Sequence, residues 1–172
     1  MGIYYARVND MGERKNVLLT DIIGILIAEG VGALSGWLTR DGAKTYSTTI
    51  VQPPLSPPAV VFPVVWGILF ALMGISAARV WRAPPSGART RGLAIFGVQL
   101  AFNFCWSLLF FNLQAFGFAL LWLLVLWALI LWMLLTFRQV DKWAAWLQLP
   151  YLLWVTKNAY LNVLFLIFLH LF

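Results

Sequence analysis

Apolar residues run along this chain in five long blocks, near 17–38, 58–81, 92–111, 115–137 and 143–171, and most polar residues fall between them. Each block reaches about the 20 predominantly apolar residues that a helix needs to cross the hydrocarbon of a bilayer. The pattern predicts an all-α membrane protein, a five-transmembrane-helix bundle, with 1–16 as a cytoplasmic N-terminal segment and 17–172 as the transmembrane domain. The first block carries Asp21 and Glu29 and lacks a clear small-residue cleavage site, so it reads as a permanent span rather than a signal peptide. The connection at 112–114 is so short that the third and fourth helices must be antiparallel neighbours. Only the loop expected at 39–57 is long enough to fold back over the bundle. It ends in Pro53, Pro54, Pro57 and Pro58, which favour extended geometry, with Pro58 suited to the first turn of the second helix.

Composition agrees with the block pattern. The 172 residues are 62% hydrophobic and 10% charged, with a mean hydropathy of +0.85, far from the balance of a soluble domain. The net charge of +6 does not point to nucleic acid, because the basic residues cluster at the ends of apolar blocks rather than in a stripe interleaved with aromatics. Their distribution predicts orientation instead. Arg7, Arg14, Lys15, Arg79, Arg82, Arg89, Arg91, Arg138 and Lys142 share one side, against Arg40 and Lys44 on the other. The positive-inside rule then puts the N-terminus in the cytoplasm and the first loop outside. One cysteine, Cys105, and one histidine, His170, form no disulfide framework and no metal-ligand set, so no metal and no required cofactor is expected.

Polar side chains inside the blocks are the candidate chemistry. Gln99, Asn103, Trp106 and Phe110 are spaced by four, three and four and share a helical face. Amides in hydrocarbon need partners, so this face predicts either a ligand-filled interior or hydrogen bonds that hold the bundle together. In the fifth block Tyr151, Trp154, Asn158 and Asn162 share a face, and the aromatic residues suit a flat, mostly apolar ligand. Gly97, Ala101 and Cys105 form a small-residue stripe on the third helix, open to use as a homodimer seam or as packing within the monomer; Gly24, Ala28, Gly32 and Gly36 form a longer one, read as internal packing. Glu29 and Lys157 are the most costly residues in the spans, at similar depth if the first and fifth helices are parallel. They predict an ion pair, a neutralised glutamate, a snorkelling lysine or ion coupling. Of the ten tryptophans, Trp37, Trp81, Trp143 and Trp146 read as interfacial anchors, while Trp66, Trp106 and Trp154 lie on the proposed pocket elements.

These pieces together resemble the translocator protein family, also called tryptophan-rich sensory proteins. The matching residues are Pro53, Pro57-Pro58, Phe62, Val65-Trp66 and Met73-Gly74; Gln99, Asn103, Trp106 and Phe110-Phe111; and Pro150-Tyr151, Trp154-Val155 and Leu161-Asn162. The resemblance implies a compact, commonly dimeric five-helix bundle whose first loop covers a pocket for porphyrins, sterol-like lipids and synthetic aromatic ligands. It maps that pocket onto Trp66, Asn103, Trp106 and Trp154, with Asn158 where the family usually has a small residue and Leu161 nearby. Tyr46, Pro53, Phe110 and Tyr151 complete the expected ligand-binding set. The sequence departs from the family at Val60, where a tryptophan is usual, at Tyr46-Ser47, where Trp-Tyr is usual, at Gln52 for lysine, and at Lys157-Asn158 in place of an apolar pair.

The expected function is membrane binding and sensing, or transport, of tetrapyrroles and related planar ligands, with the bilayer as the other partner and porphyrin as the ligand. A light-dependent porphyrin-degrading enzyme is the alternative, against which Val60 argues. An ion-coupled exporter of small cations, prompted by Glu29 and Lys157, is the third reading, disfavoured because one bundle with two central charges offers little for alternating access.

Overall fold

The computed structural model describes residues 2–49 and 60–171, with side chains described for 12–49 and 60–167. The chain forms α1 (Gly2–Thr49), α2 (Val61–Arg82), α3 (Gly87–Ser107) continued by a π-helical turn at Leu108–Asn112, α4 (Phe116–Val140), a short α5 (Lys142–Leu147) and α6 (Leu149–Leu171). Its five long helices make a bundle. Among the described residues, four helices are long and apolar enough to cross a membrane, at Gly12–Thr49, Val61–Arg82, Gly87–Asn112 and Phe116–Val140. The 23-residue α6 is the fifth member of the bundle. The main packed pairs are α1 with α2, α3 with α4, and α4 with α6, while α5 wedges against α2 and α4.

Local chemistry explains where the helices stop. Ala83 leaves helical geometry ahead of Pro84 and Pro85, because a residue before proline is pushed to extended backbone. Ser86 then caps α3 by accepting the Arg89 N–H at 3.2 Å, so that helix begins before the first strongly apolar residues. Asp141 caps α5, accepting the N–H groups of Trp143 at 2.7 Å and Ala144 at 3.1 Å, and also pairs with Arg79 of α2 at 2.8 Å. The expected single span over 143–171 is broken at Gln148, with Pro150 placed in the first turn of α6, where its missing N–H costs no hydrogen bond.

The first loop differs from expectation. Helix α1 does not end near residue 38 but continues to Thr49. Hydroxyls along this polar stretch bond back to the helix's own carbonyls, Thr39 to Ser35 at 2.8 Å, Thr45 to Asp41 at 3.0 Å and Thr49 to Thr45 at 2.7 Å. Asn112 Nδ2 also donates to Leu38 O at 3.0 Å, tying the extension to the end of α3. The prolines at 53, 54, 57 and 58 lie outside the described residues.

The small-residue stripe of α1 packs internally at Gly24, Ala28 and Gly32, whereas Gly36 is exposed and a Cβ there would meet nothing within 4 Å. Gly24 and Gly74 bring the backbones of α1 and α2 into contact, and a Cβ at either glycine would run into the other's backbone. At the same end of the pair, Arg82 donates to Thr20 Oγ1 at 2.5 Å and to Asp21 Oδ1 at 2.6 Å, giving Asp21 the basic neighbour expected near the membrane edge. The α3 stripe points the other way. Gly97 and Ala101 are exposed, Cys105 is half-buried, and a Cβ on Gly97 would meet nothing within 4 Å, so this stripe does not pack inside the monomer.

Candidate functional site

The α-helical periods of α3 and α6 aim two polar stripes at each other. Gln99, Asn103, Trp106 and Phe110 are buried along α3 and its π-helical end, while Tyr151, Val155, Asn158, Asn162 and Phe165 are buried along one face of α6, with Gln148 buried just ahead of its first residue. The stripes join at Tyr151, which is 0% exposed. Its hydroxyl donates to Gln99 Oε1 at 3.0 Å and accepts from Asn103 Nδ2 at 2.8 Å. Both stripes therefore meet in hydrogen bonds, the bland alternative for this face, but the bonds use only part of their polar capacity.

Aromatic rings from other helices surround this junction. Trp66 lies edge-on to Tyr151 with ring centroids 6.0 Å apart, and Phe62 bridges Trp66 at 6.0 Å and Trp154 at 6.4 Å. Trp106 stacks on Phe110 at 5.1 Å, and Tyr46 from the extended α1 meets Phe110 at 5.2 Å and Phe165 at 6.1 Å. The π-helical turn serves this arrangement. Its wide Leu113-to-Leu108 hydrogen bond adds a residue to the turn, and Phe110 and Phe111 both reach the Tyr46 cluster although they are consecutive.

Several buried polar atoms have no hydrogen-bond partner in the protein. They include the indole N–H of Trp66, Trp106 and Trp154, the Nδ2 of Asn158, Nε2 of Gln99, both side-chain polar atoms of Asn162 and both of Gln148. Each such atom costs about 1–3 kcal/mol if left dry, so each calls for a bound molecule or ordered water. The combination offers flat apolar walls for stacking and donors for polar edges. It is suited to binding, and among the described residues no group of three or more His, Cys, Asp or Glu comes together.

Of the expected site residues, Tyr46, Trp66, Asn103, Trp106, Phe110, Tyr151 and Trp154 fall within this linked set of rings and hydrogen bonds. Asn158 is on the buried face of α6, and Leu161 is half-buried beside it. Pro53 lies outside the described residues. Gln148, Phe116 and Phe165 were not anticipated. Gln148 stands three residues before Tyr151 and was detectable from helical spacing; the two phenylalanines are indistinguishable in sequence from their apolar surroundings. The ion pair between Glu29 and Lys157 does not form. Helices α1 and α6 are not among the main packed pairs, and Lys157 instead holds its Nζ 5.2 Å from the ring centroid of Trp154. On α4, Trp122 stacks on Phe102 at 4.4 Å and Trp127 donates to Thr156 Oγ1 at 2.9 Å, both packing roles outside the site.

A bundle of long apolar helices with an aromatic, amide-lined interior defines a class of integral, multi-pass membrane protein. Sequence comparison makes the assignment specific. A model of the TspO/MBR family matches residues 24–167, and the chain belongs to that family. It is 37% identical over 144 residues to the tryptophan-rich protein TspO of Chlorobaculum tepidum, covering 81% of this chain and 88% of that protein. It is 35% identical over 137 residues to the tryptophan-rich sensory protein of Cereibacter sphaeroides, covering 80% and 84%. The human translocator protein is 30% identical over 145 residues, covering 81% and 85%.

Proposed function

We propose that this protein binds a planar, largely apolar ligand of the tetrapyrrole type inside the bundle and acts as a membrane sensor or carrier of it. The observation that carries this reading is the set of buried, unpartnered indole and amide N–H groups at Trp66, Trp106, Trp154 and Asn158 beside the Tyr151 junction. Rings of that number and spacing can stack on a macrocycle, while the N–H groups meet its polar edges. The test is quenching of tryptophan fluorescence by a porphyrin series in wild type, Asn103→Ala and Trp154→Phe. Weaker binding in both variants is expected; unchanged affinity in both moves the pocket elsewhere. Illumination of the same complex tests the enzymatic alternative, and an unchanged porphyrin spectrum is expected.

The Lys and Arg count supports a cytoplasmic N-terminus, and the bacterial relatives support a bacterial plasma membrane. Accessibility labelling of a cysteine placed at Ser47 in a Cys105→Ser background tests it, with labelling from outside expected. The outward stripe of Gly97, Ala101 and Cys105 is proposed as the seam for a second copy, because small residues let two helix backbones approach. Gly97→Leu is expected to shift a crosslinked dimer to monomer.

A further inference from the structure

We infer that Lys157, Trp154 and Asn158 form a receiving station for the carboxylate of an amphiphilic ligand, at the edge of the bundle where α6 faces α2. The inference deepens the ligand reading above and rests on it, because it names the polar group that the ligand must carry.

Lys157 is eight residues beyond Leu149, about 12 Å along the axis of α6 and well inside the apolar span. Its side chain is exposed on the bundle surface. A cation in that position is costly, and an intramembrane charge normally faces a partner or a pathway. Glu29 is not that partner. Lys157 reaches back toward the start of α6, as a snorkelling lysine does, but its Nζ stops over the ring of Trp154, a residue itself about 7.5 Å past Leu149, where the face of the indole attracts it.

Residues 154, 157 and 158 are neighbours on one side of a helix, so what surrounds Trp154 and Asn158 bears on Lys157. Trp154 contacts Phe62 of α2, and its buried Nε1 has no partner. Asn158 is only 9% exposed and its Nδ2 has no partner either. One side of α6 thus runs from a cation at the lipid surface to two N–H donors facing inward. Indole nitrogen can only donate, which fixes the chemistry of the missing group as an acceptor. A hydroxyl would accept from the donors alone, whereas a carboxylate also satisfies the cation, in the stronger charge-assisted form. The family-atypical pair Lys157-Asn158 thereby becomes a specificity element.

The test titrates the full chain in dodecyl maltoside with protoporphyrin, which has two carboxylates, and with its neutral dimethyl ester. Wild type is expected to bind the diacid about tenfold more tightly than the diester, the size of one charge-assisted hydrogen bond. Lys157→Met should abolish that preference, Lys157→Arg should keep it, and Asn158→Ala should reduce it, with diester affinity unchanged by the two substitutions at Lys157. The source of the carboxylate is read from competition: displacement of the diacid by oleate but not oleyl alcohol assigns a fatty acyl group, and retention of the diacid assigns the planar ligand's own carboxylate. Equal affinity of wild type for diacid and diester, or a preference that survives Lys157→Met, overturns the inference and leaves the ligand reading standing. If neither porphyrin binds wild type, the ligand reading itself falls and takes this inference with it.

Discussion

Replacing Tyr151 with phenylalanine deletes one oxygen from the junction where α3 and α6 meet. That oxygen donates to Gln99 at 3.0 Å and accepts from Asn103 at 2.8 Å, in a residue with no solvent exposure. Interhelical hydrogen bonds in membrane proteins contribute on average about 0.6 kcal/mol each, so two account for about 1.2 kcal/mol. Stranding the Gln99 oxygen and the Asn103 amide away from water adds roughly another 1 kcal/mol, the low end for buried orphans because amides can reorient. The sum of about 2 kcal/mol corresponds to a fall in apparent Tm of roughly 4–8 °C for a chain of this size. Thermal unfolding in detergent, followed by elution of the monodisperse peak, measures it. The double variant Gln99→Leu with Tyr151→Phe removes one stranded partner and should recover part of the loss. A single-variant shift below about 1 °C would show that the junction contributes no net stability and would refute this account of its energetics.

Other expectations follow from the packing and the caps. Gly24→Leu places a side chain into the Gly74 backbone and should cost about 1–3 kcal/mol by overpacking, whereas Gly36→Leu, where a Cβ meets nothing within 4 Å, should be nearly neutral in the same melting assay. Asp141 experiences burial that raises its pKa, but the Ala144 N–H, Arg79 and the Trp143 N–H outweigh this, so its carboxyl sits below the ordinary carboxylate value. A depressed folded pKa means that its stabilisation is complete above the unfolded value of about 3.9 and is lost as pH falls through the folded one. Wild type should therefore melt above Asp141→Asn at neutral pH, with the two curves converging under strong acid; a constant difference down to that range contradicts the linkage. Trp127→Phe removes a bond to Thr156 outside the site and should leave porphyrin quenching affinity unchanged.

The bundle was legible because five apolar blocks of membrane-spanning length leave few other folds, and the α3 face was legible because Gln99, Asn103 and Trp106 repeat at helical spacing. The Tyr151 junction was half visible: spacing put Tyr151 and Asn103 on inward faces, but only the packing of α3 and α6 through their shared neighbour α4 brings the hydroxyl to both amides. Polar composition misled at 39–49, where Thr and Ser suggested a loop. Their hydroxyls instead bond to carbonyls of the same helix, and Tyr46 finds an aromatic cluster assembled from Phe110, Phe111, Phe116 and Phe165, four residues from three separate elements. Charge also misled, since depth alone suggested Glu29 for Lys157, whereas helix order decides which residues at one depth can touch.

The π-helical turn at Leu108–Asn112 affects how this chain is to be aligned with others. A turn one residue wider than an α-helical turn shifts the helical phase of everything after it by one residue, and each residue of an α-helix accounts for about 100° of rotation. Counted from the start of α3, the helical phase is regular through Ser107. Beyond it, a homologue whose third helix stays regular would present a different side chain at the place where Phe111 meets Tyr46, even with identical letters in the alignment. Comparing family members near this end of the bundle requires matching their helical phase as well as their residues.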